Sequence, residues 1–256
     1  MIPLLDIRNL SVSYILSHGP IHAVRNVSCH ISTGETLGLV GESGCGKTTL
    51  ARTIQQLERP TSGQIFFSGE HIASRPRFRD IQMVFQDPFA SLNPRMTILE
   101  LVTEAAIVHG IVSRSERFRY AQELLADVGL PDDILPRYPH AFSGGQRQRI
   151  SIARALALRP KLLICDEPVS ALDVSVQAQI INLLLELQTR HRLSMLFISH
   201  DLSVVQHVAH RIAVMKSGDI VECNTASSIM NHPTHPYTRE LLSARYSASP
   251  TTPSSM

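Results

Sequence analysis

Between an apolar run, Thr36 to Val40, and an amphipathic stretch that begins after Gly46, the chain reads Gly41-Glu42-Ser43-Gly44-Cys45-Gly46-Lys47-Thr48. This is GxxxxGK[ST] in full, in the strand-to-helix setting the motif needs. Glycines let successive backbone N–H groups turn inward around phosphate oxygens, and the start of the following helix adds partial positive charge. Lys47 is placed to reach the β- and γ-phosphates of a nucleoside triphosphate, and the Thr48 hydroxyl to ligate Mg²⁺. The expected nucleotide contacts run from Gly41 to Thr49, so Thr49 joins the eight motif residues.

Two further constellations carry chemistry. Leu162-Leu163-Ile164-Cys165-Asp166-Glu167 delivers two carboxylates at the end of an apolar strand, where α/β sheets present ligands. Adjacent acids need different tasks: Asp166 would hold Mg²⁺ through water, and Glu167 would polarise an attacking water. Pro168 is expected to keep Glu167 extended. Ser143-Gly144-Gly145-Gln146 opens a helix rich in Arg and Ala, where Ser143 can N-cap and two glycines leave the amides open to an anion. Alone, such a turn could equally cap an ordinary helix. Beside the first loop it reads as a second phosphate cradle, which one chain can hardly fold onto the same nucleotide across an intervening helical segment.

The elements that must position these residues fall into three stretches. Leu4 to Tyr14, Ala23 to Ile31, Thr36 to Val40, Gln64 to Ser68 and Ile81 to Phe85 read as strands, interrupted by a helix whose Leu50, Ile54 and Leu57 form one stripe. From about Asp87 the pattern turns helical, with Thr97 to Val108 and Ser115 to Val128 as amphipathic segments. We read 87–157 as an inserted helical subdomain. Strands at Leu162 to Cys165 and Met195 to Ile198 then alternate with helices at Val174 to Arg190 and Leu202 to Ala209, which implies a mostly parallel sheet. Ile212 to Met215 and Ile220 to Glu222 flank a Ser217-Gly218 hairpin turn, and the Ser/Thr/Pro-rich tail 247–256 is expected to be disordered. Residues 1–246 thus form one α/β domain.

Composition narrows the function classes. With 256 residues, 43% of them hydrophobic and 18% charged, the chain is long enough to bury a sizeable core. The formal net charge of +2, with scattered Lys and Arg, gives no surface for tracking nucleic acid. Asp6 and Arg8 break the N-terminal apolar stretch, and Glu100, Glu104 and His109 break the segment Met96 to Val112, so neither a signal peptide nor a membrane span is expected. Cys29, Cys45, Cys165 and Cys223 form no CxxC pair and read as isolated thiols.

Assembled in this order, the motifs resemble the ABC ATPase family from about Leu4 to Ala244. The resemblance implies a P-loop NTPase cassette with a RecA-like core, an antiparallel β subdomain and an inserted α-helical subdomain. Phe142-Ser143-Gly144-Gly145-Gln146 resembles the family signature, with Phe where Leu is commoner. By the same resemblance Gln86 is the Q-loop glutamine, a contact of both Mg²⁺ and the reacting water. Ser170-Ala171-Leu172-Asp173 matches the D-loop, His200 the switch histidine, and Tyr14 the aromatic that stacks on adenine. It implies ATP and Mg²⁺ as cofactors and a head-to-tail pair of subunits, each ATP lying between one subunit's phosphate loop and the other's signature.

Phe85-Gln86-Asp87-Pro88-Phe89-Ala90-Ser91-Leu92-Asn93-Pro94 and His235-Pro236-Tyr237-Thr238, followed by Leu241-Leu242, resemble the oligopeptide/dipeptide/nickel importer branch. That branch implies a second ABC ATPase subunit, a paralogue or an identical copy, beneath two transmembrane permease subunits at the cytoplasmic face of the inner membrane. An extracytoplasmic solute-binding protein delivers the solute, a peptide or alternatively nickel or a metal chelate. Nothing after Cys223 supplies the cysteine cluster of some branch members, so no iron–sulfur cluster is expected. The contrasting class, a soluble ABC ATPase acting on nucleic acid or ribosomes, carries two cassettes, a long coiled coil or a zinc hook, and none is found in this sequence.

Overall fold

A computed structural model describes residues 2–16, 19–87 and 91–247 of the chain. Pro88 to Ala90 of the Gln86 segment, and 248–256 of the tail expected to be disordered, lie outside the described residues. Ser247, placed in that tail by the sequence, is instead the last residue of a helix.

Alternation along the strands builds two sheets. Strands β1 (Leu5–Leu16) and β2 (Gly19–Ile31) pair antiparallel, and β4 (Ser62–Phe67) and β5 (Glu70–His71) complete a four-stranded sheet in the order β2-β1-β4-β5. The second sheet has six strands in the order β10-β9-β3-β8-β7-β6. These are β3 (Thr36–Val40), β6 (Ile81–Val84), β7 (Leu162–Asp166), β8 (Ser194–Ser199), β9 (Arg211–Lys216) and β10 (Asp219–Thr225). All its pairings are parallel except the edge hairpin β9/β10. That hairpin turns on Ser217 and Gly218, both with positive φ (48° and 94°), the two-residue turn that suits strand twist.

Every residue of β3, β7 and β8 is buried, as parallel strands covered on both faces must be. Successive side chains divide between two cores. Leu39, Ile164, Leu196 and Met215 pack with Leu5, Ile7, Val24 and Phe67 of the antiparallel sheet and with Leu50 and Ile54. Val40, Leu163, Cys165, Phe197 and Val214 pack on the opposite face with the remaining helices. One parallel sheet thus joins both halves of the molecule.

The helix α1 (Lys47–Ile54) starts at Gly46 and stops at Gln55, because Gln56 takes a left-handed φ of 64°. The expected third member of its stripe, Leu57, lies beyond the helix and is 56% exposed. Between β6 and β7 lie α2 (Ile98–Val108), held at its start by a Thr97/Glu100 capping box, α3 (Arg117–Asp127) and α4 (Gly144–Leu156). Beyond β7 come α5 (Val174–His191) and α6 (Leu202–Val208), each close to its expected span. Two short helices not foreseen in the sequence follow, α7 (Ala226–Asn231) and α8 (Pro236–Ser247). Among the described residues no helix is long and apolar enough to cross a membrane.

Candidate active site

The loop between β3 and α1 frames a cavity of about 620 Å³, lined by Gly41, Glu42, Ser43, Gly44, Gly46, Lys47, Thr48 and Thr49 with Ala23, Gln86, Glu167, His200 and Leu241. Gly46 sits at φ 109°, and a Cβ there would stand 2.1 Å from the Ala23 carbonyl oxygen, so only glycine fits. Lys47 is buried, and its Nζ donates to the carbonyls of Gly41 and Glu42, each at 2.8 Å. Cys45, also expected as a nucleotide contact, is buried, its Sγ 3.8 Å from Lys47 Nζ, and it is not among the residues lining the cavity. Burial pushes the Cys45 thiol pKa up against the pull of the Lys47 charge.

Glu167 anchors the opposite wall. Its Oε2 accepts from Gln86 Nε2 at 3.1 Å and meets His200 Nδ1 at 3.3 Å, which draws together residues from three separate strand ends. The expectation that Pro168 would hold Glu167 extended is overturned: Glu167 takes φ 47°, in the left-handed region. Its N–H donates to the Ile198 carbonyl at 3.0 Å, a bond from the neighbouring strand β8 that outweighs the local preference. A non-glycine residue held there by its surroundings is a frequent mark of a working site.

Asp166 lies behind the cavity, 4% exposed, and its Oδ1 has no hydrogen-bond partner. Burial raises its pKa, while the Thr48 hydroxyl beside it lowers it. A buried carboxylate oxygen lacking a partner, next to a hydroxyl, fits a hard divalent cation with oxygen ligands such as Mg²⁺.

The signature turn is formed as a helix start rather than as part of this cavity. Ser143 Oγ accepts from Gln146 N at 3.4 Å and Gln146 Oε1 accepts from Ser143 N at 3.1 Å, a reciprocal capping box on α4. A Cβ on Gly145 would stand 2.5 Å from Val176 Cγ1, so this glycine serves helix packing. Phe142 is buried, in keeping with a packing role. The segment Ser170 to Asp173, expected as a D-loop, lies between Glu167 and this turn: Ser170 N and Oγ both donate to the Glu167 carbonyl, and Leu172 lies 3.2 Å from where a Cβ of Gly144 would be. Ala171 sits between them, and Asp173 is the N-cap of α5. Tyr14 is half-buried on β1 opposite Ile21 and is not among the residues lining the cavity.

Ala23 and Leu241 are cavity residues that the sequence motifs do not reveal. The available signal for Leu241 was Pro236, well suited to the first turn of a helix, followed by Leu241-Leu242.

A phosphate loop at the C-terminal edge of a parallel sheet, facing a strand-end carboxylate, defines a nucleoside-triphosphatase. The profile of the ABC transporter family matches residues 24–170. A putative peptide import ATP-binding protein of Brucella ovis is 50% identical over 254 residues, covering 97% of this chain and 80% of that protein. The oligopeptide transport ATP-binding protein OppF of Bacillus subtilis is 49% identical over 94% of this chain and 82% of its own length. Among solved structures, the dimeric ATP-binding cassette MJ0796 in a post-hydrolysis state bound to ADP and Pi superposes with TM-score 0.78 at 30% identity, covering 87% of this chain and 98% of that one. CbiO1 of Clostridium perfringens, part of an ABC transporter complex, gives 0.79 at 27% identity, covering 90% and 91%. The chain belongs to the ABC transporter family, as one of its ATP-hydrolysing cassettes.

Proposed function

We propose that this chain is the ATPase subunit that powers a peptide importer, and that Glu167 is the residue that polarises the attacking water. The observation that carries the catalytic reading is the convergence of Gln86 and His200 on Oε2 of Glu167 across the phosphate-loop cavity. Oε1 is then the oxygen that would face the water. Lys47 and the amides of Gly41 to Thr49 would hold the phosphates; Asp166 and Thr48, with Gln86, would hold Mg²⁺. When bound, Mg²⁺ neutralises charge on the phosphate oxygens. Tyr14 lies on β1 opposite Ile21, two residues from cavity-lining Ala23, and is assigned the adenine face.

Ser143, Gly144, Gly145 and Gln146 would act on the ATP of an opposed cassette, with Ser170 to Asp173 linking that signature to Glu167. The second cassette is a paralogue or a copy of this chain, and the pair sits beneath two permease subunits at the cytoplasmic face of the membrane. Peptide as cargo is supported by the names of relatives at about half identity, among them a glutathione import protein of Pectobacterium atrosepticum. In proteoliposomes holding the whole transporter, a peptide-loaded binding protein should stimulate ATPase activity. Stimulation by nickel or a metal chelate, with none by peptide, would overturn the cargo assignment while leaving the ATPase reading intact.

A further inference from the structure

The helix α8 is built into the wall of the nucleotide cavity, and the way it is held bears on the phosphate loop. Glu222 on β10 accepts from Thr234 N at 2.9 Å, Thr234 Oγ1 at 2.8 Å and His235 N at 3.0 Å, which pins the chain just before the helix. His235 Nδ1 in turn accepts from Tyr237 N at 3.2 Å. The Tyr237 ring is 2% exposed and lies under Lys216 Nζ, 4.2 Å from the ring centroid, at the end of β9. Leu241, four residues later and so on the same helix face, forms part of the cavity wall.

At the tip of this arrangement the Tyr237 hydroxyl accepts the N–H of Glu42 at 3.3 Å. The carbonyl of the same residue accepts from Lys47 Nζ at 2.8 Å. Glu42 is therefore gripped twice, by Tyr237 from α8 and by the lysine within the loop. Its neighbours Ser43 and Gly44 line the cavity. Removing the hydroxyl would leave a part-buried N–H without its partner at the point where the loop leaves β3.

We propose that Tyr237 is a positioning residue for the phosphate loop: carried on α8, its hydroxyl holds the Glu42 amide and so sets the loop in the curvature that receives triphosphate. This rests on the reading of the loop as the ATP site. The consequence is that ATP affinity depends on a C-terminal helix outside the nucleotide motifs, and that α8 and the loop respond to each other.

The test uses the assembled transporter and compares wild type with Tyr237→Phe, which deletes one oxygen and keeps the ring under Lys216. ATP affinity by equilibrium titration, KM, kcat and Tm are all measured. Kd and KM for ATP should rise about three- to tenfold, the size of effect a lost hydrogen bond produces, with kcat near wild type and at most a small fall in Tm. A purely structural role would instead lower Tm or the active fraction and leave KM unchanged, and an unchanged Kd and KM overturns the proposal. Lys47→Ala in the same titration separates the two readings. If it abolishes ATP binding while Tyr237→Phe is silent, the inference about α8 fails alone; if Lys47→Ala binds ATP normally, the assignment of the ATP site fails.

Discussion

Glu167 carries two hydrogen-bond partners on one carboxylate oxygen and a left-handed backbone. Glu167→Gln keeps the shape and removes the carboxylate proposed to polarise the attacking water, so turnover should fall by roughly 10²-fold or more while ATP binding persists; steady-state ATPase assays with a parallel binding titration check this. Lys47→Ala should abolish binding itself, because no other Lys or Arg lines the cavity among the described residues. The identities of these residues were legible because phosphate chemistry demands particular types at particular spacings. The conformation of Glu167 was not. Pro168 biases its predecessor locally, whereas the deciding bond comes from Ile198, thirty-one positions away in sequence on a strand whose register only the folded sheet fixes.

Among the elements, the helical stretches from Thr97 and from Ser143 were legible, and Ser143 as an N-cap; the reciprocal pairs Thr97/Glu100 and Ser143/Gln146 that start these helices emerge in the structure. Ser143→Ala should cost about 1 kcal/mol through loss of the cap, seen as a small fall in Tm, beyond any effect on ATPase activity. The helices α7 and α8 were not foreseen; α7 has only six residues, and the chain just before α8 is held by Glu222 on β10, a contact its local sequence does not show. Against the upward push of partial burial, hydrogen bonds from the start of α8 hold the Glu222 pKa at about 2, below its ordinary 4.5. A lowered folded-state pKa stabilises above the ordinary value and loses that stabilisation as pH falls toward the folded one. Glu222→Gln should therefore lower Tm at neutral pH and flatten its decline between pH 4.5 and about 2, measured by thermal melts across that range. An equally steep acid decline in the variant would exclude Glu222 as its source.

Over the whole molecule, the mostly parallel sheet divides two cores and presents one edge of strand ends to the cavity, while the Ser143 turn opens a helix on the other side of the segment Ser170 to Asp173. The cavity is lined by the loop and the Glu167 wall but not by Ser143 to Gln146, which is in keeping with the proposal that a second cassette brings an opposing signature to this loop. Alternation of strands and helices was enough to foresee the mostly parallel sheet, whereas the separate antiparallel sheet was expected from the family resemblance. The most direct test is a structure of the assembled transporter carrying Glu167→Gln with ATP and Mg²⁺. The account predicts Ser143 Oγ of each such chain within about 3 Å of the γ-phosphate held by the opposing subunit's loop. A Ser143 turn facing solvent, or closing on its own chain's nucleotide, would contradict it.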